Sequence, residues 1–281
     1  MTGDCPPALI NRRARQPAGY ACHELACWLP LASATMTCMT TADPATGFER
    51  LGALITPGLW EHVDGMNRAA VVGWGTMLNV AHLVRGIRTL HAAGQCQAAL
   101  PLLRSVMEYA LGTIWLADAG EGAVDVLNRR LQGSHGKLLT DLGDTDLDAA
   151  FPAEAVQAFR DVLAAQLPPH PDERLSAFRH LLTAYGFEKM IPVYDVISGI
   201  THLSLEGAQA FFQDRDGAIR LSQQPIRAEA APCEVICLGM QFDTMLAYNE
   251  LLSPRPWTAD LAAIAEDHEL AAVLATRRAG R

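Results

Sequence analysis

Two charged residues stand in the most apolar stretch of the chain. Arg104 and Glu108 lie four apart in the run Ala99–Ala117, which carries few other polar groups, so on a helix they share one face. Taking a charged pair out of water is costly, and removing one partner from a buried pair costs on the order of 3–5 kcal/mol. Such a pair either fixes helix register or orients an arginine toward a phosphate or carboxylate. A second polar series follows far downstream. Tyr194, Ser198, His202 and Glu206 recur every fourth residue, and on a continuous helix they form one stripe, with Val196, Ile197, Ile200, Leu203 and Leu205 around it. A histidine between a serine and a glutamate can act as acid or base near neutral pH; it can equally be an interior histidine satisfied by hydrogen bonds. If the two helices pack side by side, Arg104, Glu108, Tyr194, Ser198 and His202 meet in one polar network.

Arginine precedes histidine at short range in two further places. Arg130 lies five residues before His135, and Arg174 six before His180. The chemistry open to such pairs is metal-free cleavage of RNA: histidine takes the proton of a 2′-hydroxyl while arginine stabilises the pentacoordinate phosphate. A solvated helix face is the alternative. Asn79, His82, Arg85 and Arg88 add polar groups to another helical pattern, and of these Asn79 and His82 are expected to face inward.

Other chemistries lack their signatures. The chain has no phosphate-binding Gly-x-x-x-x-Gly-Lys loop, no dinucleotide glycine fingerprint, no His-Glu-x-x-His and no calcium loop. Ser198 and His202 have no strand-to-helix elbow to make them a serine hydrolase pair. Asp141, Asp144, Asp146 and Asp148, with Gly143 among them, read as an acidic loop rather than a diphosphate-binding helix. Cys22, His23, Cys27 and Cys38 match no common zinc spacing, so no metal and no cofactor is expected.

The elements that position these residues read as helices. From Pro57 onward apolar residues recur at helical spacing, and period-two runs are nearly absent. Helices are expected over residues 61–93, with Val71, Leu78, Val80, Leu83, Ile87 and Leu90 buried and Gly94 as the stop. Others follow over 96–119, 121–141, from Pro152 onward, 173–185, 193–212, 233–252 and 258–277. The 96–119 helix, apolar on nearly every side, belongs at the centre of a bundle. Asp216-Gly217 marks a short hairpin near 213–226, and Ser253-Pro254-Arg255-Pro256 cannot continue a helix. The fold class is therefore all-α, a bundle of about seven to nine helices. It forms a single domain over 44–281, and residues 1–43 are a disordered tail or a mis-assigned start.

The 281 residues are 50% hydrophobic, 19% charged and 6% aromatic, the balance of a globular protein. Twenty-two Lys and Arg against 31 Asp and Glu give a formal charge of -9, which removes any general attraction to nucleic acid or an anionic membrane. The odd number of cysteines, seven, suits reduced thiols in a cytoplasm. No stretch reaches about 18 apolar residues free of charge, so no membrane span is expected.

The Leu102-Leu-Arg-Ser-Val-Met-Glu108 segment with Tyr194-x-x-x-Ser198-x-x-x-His202 resembles a widespread bacterial family of uncharacterised helical proteins, over residues 66–212. That family is similar in turn to the HEPN superfamily, which includes metal-independent ribonucleases of toxin and defence systems as well as inactive binding modules. The HEPN motif is an arginine four to six residues before a histidine near a helix end. Arg130–His135 and Arg174–His180 have that spacing, whereas His202 has Tyr194 and Ser198 upstream instead. The resemblance implies RNA as partner and substrate, with a homodimer as the assembly. The alternatives are a non-catalytic scaffold and a small-molecule protein using the pocket between the helices.

Overall fold

The computed structural model describes residues 43–55, 67–144, 151–164, 171–202, 207–208, 211–215, 218–223 and 230–270. The expectations for residues 1–42, including the cysteine and histidine group there, and for Glu206, Asp146 and Asp148 lie outside the described residues.

The described residues form nine α-helices and one two-stranded hairpin. Asp43 caps the first helix, α1 (Pro44–Leu54), its carboxylate accepting from the Ala45 amide. Asn67 caps α2 (Arg68–Ala92) in the same way, through the Ala70 amide, so each helix start satisfies a donor that the helix itself leaves unpaired. Gly94, at φ 71°, closes the turn into α3 (Cys96–Ala119). Gly120, at φ 58°, does so before α4 (Glu121–Asp144); both angles favour a residue without Cβ. The chain continues through α5 (Ala153–Ala164), a 3-10 turn (Glu173–Ser176), α6 (Phe178–Ala184), a second 3-10 turn (Glu188–Met190) and α7 (Ile191–Thr201). Strands β1 (Phe212–Arg215) and β2 (Ala218–Leu221) pair antiparallel with Arg215 opposite Ala218, leaving Asp216-Gly217 as the two connecting residues. Then come α8 (Ala230–Leu251) and α9 (Thr258–Asp267).

Helix α3 is the hub, packing against α2, α8, α7, α4 and α6. Its Leu103, Val106, Met107, Leu111, Ile114 and Leu116 are fully buried. Helix α8 is more enclosed still, with every residue from Ile236 to Met245 buried. Gly73 makes the α2–α8 approach possible, since a Cβ there would lie 2.7 Å from Leu251 Cδ1 and 3.3 Å from Tyr248 Cδ2.

Several sequence expectations need correction. Val71 is 57% exposed, because its side chain falls on the face of α2 opposite Met77, Val80 and Val84. Asn79 and His82 are likewise exposed rather than facing inward. Helix α4 runs through Asp144, and the acidic residues Asp141 and Asp144 belong to a helix rather than a loop. The 173–185 helix is broken at Ala177, whose extended backbone (φ -87°, ψ 122°) separates the 3-10 turn from α6. The helix carrying Tyr194 stops at Thr201 instead of Phe212, with His202 extended at φ -92°, ψ 165°. The last helix ends at Asp267, and Glu269 takes a positive φ of 51°.

Candidate functional site

Helix α7 lies against α3, and Phe178 of α6 braces it there. Leu181 and Leu182 of α6 are buried, and the Tyr185 hydroxyl just beyond donates to Asp118 Oδ2 at 3.0 Å, tying this corner to the end of α3. The Phe178 ring packs 4.4 Å from that of Tyr194, centroid to centroid, and Pro192 sits in the first turn of α7, where its missing N–H costs nothing. The outcome is that Tyr194 faces Arg104.

Three side chains close a ring of hydrogen bonds. Arg104 donates through Nε to Glu108 Oε1 at 3.2 Å and through Nη2 to the Tyr194 hydroxyl at 3.1 Å. That hydroxyl donates in turn to the same Glu108 oxygen at 2.8 Å. The guanidinium carbon also lies 5.3 Å from the Tyr194 ring centroid, within cation–π range. Burial works against the Arg104 charge, but the Tyr194 hydroxyl and the Glu108 carboxylate outweigh it, and the guanidinium stands above the ordinary arginine pKa.

His202 adds the fourth group. Its Nε2 is 3.3 Å from Arg104 Nη1. Arginine only donates, so in this contact Nε2 accepts and the imidazole carries its proton on Nδ1. The extended backbone at His202 lets the ring turn back onto α3 from an exposed position, with its amide still donating to the Ser198 carbonyl at 3.3 Å. The cluster is reachable from solvent: the Arg104 side chain is 24% exposed and that of Glu108 39%.

Four of the five expected residues therefore meet, at a half-buried surface rather than deep in the bundle. Ser198 stays apart, its hydroxyl buried with no hydrogen-bond partner among the described residues. Its backbone carbonyl, not its hydroxyl, is hydrogen-bonded to His202, which is not the geometry of a nucleophile and its base. Arg130 donates to the Ser176 carbonyl at 2.7 Å; His135, five residues on, is half-buried on α4 and about 140° round the helix from it. His180 holds the Arg174 carbonyl, through Nδ1 at 2.7 Å, rather than its guanidinium. The residue that sequence reasoning missed is Phe178, whose one available signal was its place at the head of a helix ending in buried Leu181 and Leu182.

No family model, curated protein or solved structure matches the chain. No helix among the described residues is long and apolar enough to cross a membrane.

Proposed function

We propose that the Arg104–Glu108–Tyr194–His202 cluster engages the phosphodiester of RNA and cleaves it without a metal, in the manner of a HEPN-like ribonuclease, within the cytoplasm and as a homodimer. The observation that carries this reading is the contact between a solvent-exposed imidazole and an arginine held in place on two other sides. A guanidinium has five N–H donors, and three are used here, so two remain for phosphate oxygens. His202 Nε2 takes the proton of the 2′-hydroxyl, and its bond to Arg104 gives way as that proton arrives. Arg104 Nη1 then turns to the phosphate. The 2′-oxygen forms its bond to phosphorus, the bond to the 5′-oxygen breaks, water protonates the leaving oxygen, and the hydroxide so formed takes the proton back from His202. Glu108 and Tyr194 position Arg104 and touch no reacting atom.

One observation favours a second reading. Every nitrogen of Arg104 already has a protein partner, as expected of a scaffold in which the network fixes the packing of α7 on α3. Cleavage of mixed cellular RNA by the purified protein in EDTA separates the two. The catalytic reading expects cleavage by wild type and by His135→Ala, and its loss in a folded His202→Ala variant. Equal cleavage by His202→Ala removes this cluster from catalysis, and no cleavage by any version together with a marked drop in melting temperature for Arg104→Ala establishes the scaffold instead.

A further inference from the structure

A cleft of about 160 Å³ opens between α1 and α2, on a part of the molecule that the Arg104 cluster does not use. Its two sides differ in chemistry. Phe48, 5% exposed, belongs to the core, and Leu78 packs against that core; together they give an apolar floor. His82, Arg85 and Arg88 recur every third residue along α2 and line the rim. The Arg88 guanidinium carbon lies 4.7 Å from the Phe48 ring centroid, which holds its planar group against the floor rather than out in water. Gln241, only 5% exposed on α8, also lines the cleft, and its amide adds a polar group at depth.

Neither rim arginine makes an ion pair with a carboxylate among the described residues. In a chain of formal charge -9, two arginines facing an apolar cleft make a local positive potential with a hydrophobic wall behind it. A pocket of this kind takes a ligand with the complementary halves. The volume falls below the range for drug-sized ligands and is close to that of a cavity that holds a single benzene ring.

We infer that this cleft binds a small organic carboxylate with a one-ring or branched aliphatic body. The apolar body lies on Leu78 and Ile55, beside the Phe48 ring that Arg88 covers, and the carboxylate meets the guanidinium forks of Arg85 and Arg88, which suit its two oxygens. Gln241 supplies a hydrogen bond that a bare apolar pocket would lack.

Benzoate tests this on the full chain, with benzyl alcohol as the same ring without charge and acetate as the charge without the ring. Saturable chemical-shift changes on residues of α1 and α2 are expected with benzoate, and weaker binding by both controls. Arg85→Ala and Arg88→Ala, each exchanging a side chain on the rim for a good helix former, should weaken benzoate binding about tenfold. Four results overturn the inference: no saturable benzoate binding, benzyl alcohol binding as well as benzoate, full affinity in both rim variants, or saturable shifts confined to the residues around Arg104, which would place the benzoate at the other site.

Discussion

The Tyr194 hydroxyl is the single atom on which the candidate site turns, because it accepts from Arg104 and donates to Glu108 at once. Tyr194→Phe keeps the ring packed against Phe178 and removes only that oxygen. The expected cost is about 1–2 kcal/mol, the range for a partly buried hydrogen bond with charged partners. Because all three residues share one ring of bonds, Tyr194→Phe and Glu108→Gln should couple by about 0.5–3 kcal/mol. Urea denaturation of both single variants and the double variant measures this, and strictly additive effects would show that the ring is not a unit. At this scale the sequence was informative about the pair on α3, because two opposite charges four residues apart in an apolar run must satisfy each other on one helix face. It was silent on Ser198, because a four-residue repeat says which face a side chain occupies and nothing about whether its hydroxyl reaches the neighbour.

Among the helices, α3 shows what a sequence makes plain and α7 what it hides. The bounds of α3 follow from an apolar run flanked by Gly94 and Gly120, both with positive φ. At α7 the apolar spacing continues from Ile197 and Ile200 to Leu203 and Leu205, and the one break signal, Gly199, stands two residues inside the end rather than beyond it; the helix ends at Thr201. That stop is what lets His202 turn toward Arg104, so the site depends on the very boundary that periodicity could not locate. The paired glycines of α2 offer a test of packing. Gly75 is exposed, and a methyl group added there would meet nothing within 4 Å, so Gly75→Ala should stabilise by about 0.5–1 kcal/mol through helix propensity alone. Gly73 is pressed against Tyr248 and Leu251, and Gly73→Val should destabilise by about 1–3 kcal/mol by overpacking. Denaturation midpoints moving in opposite directions support the close α2–α8 approach; a neutral Gly73→Val contradicts it.

For the molecule as a whole, the enclosure of α8 has a consequence at alkaline pH. Burial, with Cys96 and Glu234 nearby, pushes the Cys233 thiol from 9.0 to about 11. Burial first, then Cys233 and Glu234, raises Cys237 well above its usual value. Burial alone moves Tyr248 from 10.0 to about 12. Each of these acids holds its proton more tightly folded than unfolded. Below the unfolded values both states are protonated and the full stability is present; as pH rises toward the folded values, the unfolded chain ionises first and stability is lost. A shift of two units corresponds to about 2–3 kcal/mol, so Cys233 and Tyr248 together remove an amount comparable with the lower end of the usual 5–15 kcal/mol for a domain. The urea midpoint, measured under reducing conditions, should therefore fall across about pH 9–11 for the thiol and about pH 10–12 for the phenol. Tyr248→Phe gives the sharper test. The Tyr248 hydroxyl is buried with no hydrogen-bond partner among the described residues, so its removal should leave stability at neutral pH equal or higher while making the decline between about pH 10 and pH 12 shallower. A variant whose alkaline profile overlays that of the wild type would mean that this phenol ionises as freely in the folded protein as in the unfolded chain, and that α8 is open to water in its last turn.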